Sequence, residues 1–155
     1  MKAKKIIGRL LLAFILVSIG FAAGKEVEKN RRQAEAQLAP TTAGEDKVIV
    51  YYMHATFRCV TCNLVESMGE ELVRTEFAEF VKNGRLEWRP VNYQENEDLA
   101  SRYNVGGNMI VVVRFAGGKE VEHRRLDRVM ELAGRRDEFL DYVRSAIRAC
   151  LEEKA

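Results

Sequence analysis

Cysteine, proline and charge of one sign are all scarce in this chain, and each shortage excludes something. Three cysteines in 155 residues are too few for a disulfide scaffold, and the odd count leaves one without a partner in the chain. None precedes Cys59, which rules out a lipid-modified N-terminal cysteine. The two prolines are Pro40, in a linker-like stretch, and Pro90, late in a strand-like one. Lys and Arg number 25 against 23 Asp and Glu, a formal net charge of +2. No basic stripe is interleaved with aromatics, so nucleic acid is not expected as a partner. What is present is globular in character: 47% hydrophobic and 31% charged residues can build a core. The length allows one ordinary domain with appendages.

The longest apolar run lies at the start. Lys2, Lys4, Lys5 and Arg9 precede an apolar stretch from Leu10 to Gly24. This is the pattern of a signal peptide or a signal anchor. A full span takes about 20 residues, and counting from Ile6, with Arg9 snorkelling to the headgroups, supplies it. Gly20, Ala22, Ala23 and Gly24 are small enough for cleavage, but no clean Ala-x-Ala stands there, so the uncleaved anchor is favoured. Either way the basic residues stay in the cytoplasm and the remainder is exported. The organisation expected is a transmembrane segment over 1–24, a charged juxtamembrane helix and a Pro/Thr/Gly linker over 25–46, and one domain over 47–155.

Within the domain, Val48 to Met53 is rich in β-branched and aromatic residues and reads as a central strand buried on both faces. Apolar residues at Val60, Leu64, Val65, Met68, Leu72, Phe77, Phe80 and Val81 follow helical spacing, with Asn83-Gly84 as the stop. Leu86 to Tyr93 reads as a second strand, with Pro90 at an edge or at the strand end. Asn96 is positioned to cap a helix from Glu97 to Tyr103. Met109 to Phe115 is a third strand. Gly117-Gly118 is a hairpin turn, and Lys119 to Leu126 returns as a polar edge strand. A helical region over Asp127 to Glu152, interrupted at Gly134, closes the domain with Phe139, Val143, Ile147 and Cys150 on one face. Strands joined by a helical crossover pair in parallel, and the hairpin adds antiparallel strands. The result is an α/β fold: a mixed sheet of about four strands flanked by helices.

The chemistry centres on Cys59-Val-Thr-Cys62, at the junction of the first strand and helix. Free N–H groups and the positive end of the helix dipole favour a thiolate on Cys59. Cys62, one turn deeper, can attack a mixed disulfide formed by Cys59. The pair therefore reads as nucleophile and resolving thiol, or alternatively as two thiolate ligands for Cu(I) or As(III). Arg58 can lower a thiol pKa by proximity, or be a solvated surface arginine. His54 can shuttle protons or join a metal site, or be half-buried and bonded to backbone. Met53 and Met109 are thioether candidates or core filler. Cys150 reads as a small buried hydrophobe and His123 as solvated. Disulfide exchange needs no bound cofactor.

From Lys47 to Leu151 the pattern resembles the thioredoxin fold. The features that carry the resemblance are the strand Val48–Met53, the Cys-x-x-Cys opening a helix, Val91-Asn-Tyr-Gln-Glu-Asn96, and Tyr103-Asn-Val-Gly-Gly leading into the third strand. The first strand and helix of full-length thioredoxin have no counterpart. The N-terminal string Ser18 to Glu26, with Tyr52-Met-His-Ala-Thr-Phe-Arg-Cys-Val-Thr-Cys-Asn63, resembles a narrower family. These are membrane-anchored thioredoxin-like proteins named as nitrophenyl compound nitroreductase subunits of ArsF type, associated with arsenic-resistance operons. That resemblance implies a redox subunit at a bacterial inner membrane with its domain in the periplasm. Its expected partners are an electron-relay or efflux permease and a protein disulfide. A non-catalytic accessory domain of such a complex is a further alternative. Three departures from thioredoxin stand out. Arg58 occupies the usual tryptophan position, Met53 that of the buried acid, and Met109, or Asn108 with a one-residue shift, that of the cis-proline. The loop before the third strand is accordingly expected to be trans.

Overall fold

The computed structural model describes residues 46–152. The expected membrane segment over 1–24 and all of the 25–46 linker except Asp46 lie outside the described residues. Among the described residues no helix is long and apolar enough to cross a membrane.

The chain runs β1 (Lys47–His54), α1 (Val60–Glu76), α2 (Ala78–Lys82), β2 (Leu86–Asn92), α3 (Glu97–Arg102), β3 (Met109–Ala116), β4 (Lys119–Leu126), a 3-10 turn (Leu132–Gly134) and α4 (Arg136–Glu152). The four strands form one sheet in the order β2-β1-β3-β4. β1 pairs in parallel with β2 and antiparallel with β3, and β3 pairs antiparallel with β4. This mixed sheet with its flanking helices is a thioredoxin-like fold. β2, carrying Pro90, is an edge strand, where a missing N–H costs no ladder bond.

β1 is apolar and aromatic from Val48 to Met53 because both its faces are covered. Successive side chains alternate between faces. Tyr52 meets α1, its hydroxyl donating to the Cys62 carbonyl at 2.7 Å. Tyr51 points the other way, to Tyr103 at the end of α3, with ring centroids 6.1 Å apart. α1 and α4 share the Tyr52 side. Cys62, Val65, Met68, Gly69, Leu72 and Val73 form the buried stripe of α1, and Phe139, Val143, Ala146, Ile147 and Cys150 that of α4. Arg136 bonds Glu71 at 2.9 Å and Arg144 grips both oxygens of Glu76 at 2.6 Å, tying the two helices along their exposed edges. The hairpin closes through Gly117 and Gly118 at φ 57 and 77, left-handed values that glycine adopts without steric cost.

Several expectations are corrected. The helix expected to run unbroken from Val60 to Val81 stops at Phe77, whose φ of −111 and ψ of 20 leave the helical region. The break turns the buried Phe77 ring into the core, against Phe80, and brings the chain back to start β2. Val60 and Leu64 are outside the buried stripe, 87% and 44% exposed, because they lie on the face of α1 turned away from Cys62, Val65 and Leu72. Asn96 occupies the cap position of α3 without making a side-chain cap; its amide donates to the Asn92 carbonyl at 2.9 Å. Only Leu132–Gly134 and Arg136–Glu152 are helical in the last region, and Asp127 to Glu131 forms turns. His123 contacts Glu120 at 3.0 Å and the edge of the Tyr103 ring, so it is partnered as well as exposed.

The β1–β2 edge carries an acid-labile contact. Glu87 receives hydrogen bonds from Lys47 and from Arg89. Burial alone would raise its carboxyl; these two cations outweigh it and hold the group below the usual 4.5. A depressed folded-state pKa contributes stability above the unfolded value and loses it as pH falls through the folded one. Thermal stability is therefore expected to fall on acidification below about pH 4.5, and Glu87→Gln to flatten that part of the profile in calorimetry against pH.

Candidate active site

Cys59 is the N-cap of α1, with φ −90 and ψ 166. Its sulfur accepts the Cys62 backbone N–H at 3.1 Å, the bond that a serine or aspartate oxygen makes at other helix starts. It is disulfide-bonded to Cys62, with Cα atoms 5.0 Å apart. Cys59 is half-buried, whereas Cys62 is 4% exposed. The first turn contains no acidic residue, so nothing in it opposes a negative charge on Cys59. The reduced pair would thus place one reachable sulfur in a positive field and one shielded sulfur beneath it.

Amide side chains from the ends of β2 and β3 hold the loop that presents the pair. Asn108 Oδ1 accepts from Ala55 N–H at 2.9 Å, and Gln94 Oε1 accepts from Thr56 N–H at 2.9 Å. Asn92 Nδ2 donates to Thr56 Oγ1 at 2.9 Å. Asn108 Nδ2 points to Cys62 Sγ at 3.0 Å. From below, Tyr52 holds the first turn through the Cys62 carbonyl and is itself stacked on Trp88, at 6.1 Å and 11°. Burial keeps the Tyr52 hydroxyl protonated by raising it above the usual 10.0, against the charge of Arg58.

The other sequence-derived residues fall around this frame in different ways. Arg58 forms an ion pair with Glu66 and lies over the Tyr52 ring at 5.7 Å. Its charge is thus paired, while the helix start also directs a positive field at Cys59. His54 turns Nδ1 to the Ala55 carbonyl at 3.0 Å. Among the described residues, no carboxylate or imidazole hydrogen-bonds either sulfur, and no three His, Cys, Asp or Glu side chains converge. Met109 is buried and pairs across the strands with Met53, both inside the core. The side chain that reaches the cysteines is Asn108, one residue earlier. No described peptide is cis, as expected where non-proline residues occupy the loop. Cys150 is 1% exposed in the core, away from this surface.

Tyr52, Asn92 and Gln94 lie in the strings that carry the resemblances, but the sequence pattern assigns none of them a place in the site. Their one shared signal is polar amide or hydroxyl chemistry at a strand end, which many loops possess. Three large apolar side chains stand exposed near the pair, among the polar Thr56, Thr61 and Asn63: Phe57 is 82% exposed, and Val60 and Leu64 lie one turn apart on the open side of α1.

No family model and no curated protein matches the chain. Solved structures similar to it include three thioredoxins. That of Fasciola hepatica is 23% identical, with 62% of this chain and 81% of that one covered and a TM-score of 0.38. That of Malassezia sympodialis is 19% identical, with 63% and 79% covered and a TM-score of 0.40. A variant thioredoxin of Halobacterium salinarum is 24% identical, with 65% and 75% covered and a TM-score of 0.40. A thioredoxin-like sheet that presents a Cys-x-x-Cys disulfide at a helix start is consistent with a thiol–disulfide oxidoreductase.

Proposed function

We propose that this chain is an exported, membrane-tethered thiol–disulfide oxidoreductase that relays electrons to or from a membrane or periplasmic partner. The observation that carries the reading is the asymmetric pair: Cys59 half-buried at the helix start and Cys62 shielded one turn deeper. Acting as a reductant, the Cys59 thiolate attacks a partner disulfide and releases one partner thiolate. Cys62 then attacks the Cys59 sulfur, releases the second thiolate, and closes the Cys59–Cys62 disulfide. Two electrons pass to the partner, and a membrane donor restores them. In the oxidising direction the same bonds form and break in reverse.

The exported, tethered setting is supported by the basic-then-apolar pattern over 1–24 and the linker after it. Tethering raises the effective concentration of the domain near a membrane partner. The strings shared with the ArsF-type nitroreductase subunits favour an electron-relay or efflux permease as that partner. The apolar rim of Phe57, Val60 and Leu64 suits an apolar contact beside the exchanging sulfur.

The test is mechanism-based capture. With Cys62→Ser, Cys59 forms the mixed disulfide and nothing resolves it. Full-length Cys62→Ser in membranes is expected to accumulate a dithiothreitol-sensitive adduct with one membrane or periplasmic protein. Cys59→Ser/Cys62→Ser is expected to give none. An equal adduct from the double variant would assign the capture to Cys150 and remove the support for exchange at Cys59.

A further inference from the structure

We propose that Asn108 is the hydrogen-bond donor that stabilises the Cys62 thiolate each time the disulfide opens. The inference rests on the exchange reading above and adds a residue to its machinery. The Asn108 amide has two partners, Ala55 N–H at 2.9 Å and Cys62 Sγ at 3.0 Å. The first decides the orientation. A backbone N–H can only donate, so the Asn108 oxygen faces Ala55 and its NH2 group faces the sulfur. Asn108 immediately precedes β3, whose first residue, Met109, is locked in register with Met53. The donor is therefore delivered by a rigid strand end.

The charge it meets arises in both directions of exchange. When a partner thiolate bonds to Cys59 Sγ, the Cys59–Cys62 bond breaks and its electron pair stays on Cys62 Sγ. In reverse, that pair attacks Cys59 of the mixed disulfide and expels the partner thiolate. Either way a negative charge sits on a residue that is 4% exposed, where burial opposes it. The Cys62 N–H cannot help, because it points to Cys59. Among the described residues, the Asn108 amide is the side-chain donor to this sulfur. Hydrogen bonds to ionised acceptors are roughly twice as strong as neutral ones. The contact thus tightens as the thiolate forms, lowers the Cys62 pKa and makes the disulfide easier to reduce.

Two equilibrium measurements on the full chain test this. The Cys62 pKa is read in a Cys59→Ala background from the pH dependence of alkylation at Cys62, mapped by peptide. The redox equilibrium is read with both cysteines present, against glutathione. Asn108→Ala is expected to raise the Cys62 pKa by about one unit and, read at a pH above the Cys62 pKa so that the thiolate is the reduced form, to shift the equilibrium about tenfold toward the disulfide, about 30 mV more negative. Asn108→Asp keeps an acceptor for Ala55 but replaces the donor with a carboxylate. It is expected to shift both readings in the same direction, by at least as much. If Asn108→Ala shifts them and Asn108→Asp does not, the effect belongs to the loop anchor and the proposal is overturned. Unchanged values in both overturn it as well. If Asn108→Ala does not fold, the near-isosteric Asn108→Asp decides alone. The alkylation reading does not depend on exchange, so a failure to exchange with any disulfide would sink the functional reading while the Cys62 pKa still decides the role of Asn108.

Discussion

Cys59→Ser is expected to reduce turnover of a model disulfide to the uncatalysed background, a loss of about a thousandfold or more. The reason is chemical. A serine oxygen is protonated at neutral pH and cannot form the mixed disulfide, so the first bond of the exchange is never made. The helix would still be capped, since a serine oxygen is at least as good an acceptor for the Cys62 N–H that Cys59 Sγ now receives at 3.1 Å. Loss of activity with an unchanged unfolding temperature would place the defect in the reaction. Cys62→Ser separates the second step. It retains the nucleophile, so a single turnover's worth of partner thiolate is released and the reaction then stalls. Stopped-flow release of the first thiolate from a chromogenic disulfide distinguishes the two variants, with a burst expected from Cys62→Ser and none from Cys59→Ser.

Gly69→Val is the stability change with the largest expected effect, a loss of about 3 kcal/mol. Gly69 lies in the middle of α1, on its buried stripe. A Cβ there would meet Trp88 Cη2 at 2.5 Å and Cζ3 at 2.9 Å, inside any real contact distance. The ring is also held beside Tyr52, the two lying nearly parallel with centroids 6.1 Å apart. Removing a glycine from a helix interior returns up to about 1 kcal/mol of propensity, less for a β-branched residue, so the clash wins. Gly69→Ala carries one methyl against a fuller propensity gain and is expected to cost less. The consequence reaches the active site, since lifting α1 from Trp88 and Tyr52 disturbs the 2.7 Å bond to the Cys62 carbonyl. Chemical denaturation gives the energies; a Gly69→Val variant as stable as the parent would show that α1 does not pack this closely.

These two residues mark what was legible in the sequence. Cys59 and Cys62 were evident, because their spacing and position between a β-branched run and an amphipathic one carry the chemistry on their face. The strands and the Gly-Gly hairpin were legible for the same kind of reason, a period-specific pattern or a turn that only glycine makes readily. Gly69 was not legible as a packing residue, since close approach to Trp88 depends on a side chain 19 positions away in sequence. The break at Phe77 was hidden because no glycine or proline stands there; it comes from burying an aromatic ring and reversing the chain. Val60 and Leu64 fit helical spacing and yet face outward, because spacing defines a stripe and the tertiary fold decides how far the core extends beneath it. Asn108 was named only as the shifted alternative to Met109. The strand register decides between them, sending Met109 into the core beside Met53 and leaving the amide of Asn108 at the sulfur.

The redox equilibrium of the Cys59–Cys62 pair with glutathione tests the exchange reading most directly. One reversible two-electron transition is expected, within the range of about −270 to −120 mV typical of exchanging pairs, and it should vanish in Cys59→Ser. A disulfide that resists reduction until below about −300 mV, as structural bridges do, would contradict redox function at this site. So would a reduced pair that binds Cu(I) or As(III) stoichiometrically and exchanges with no disulfide.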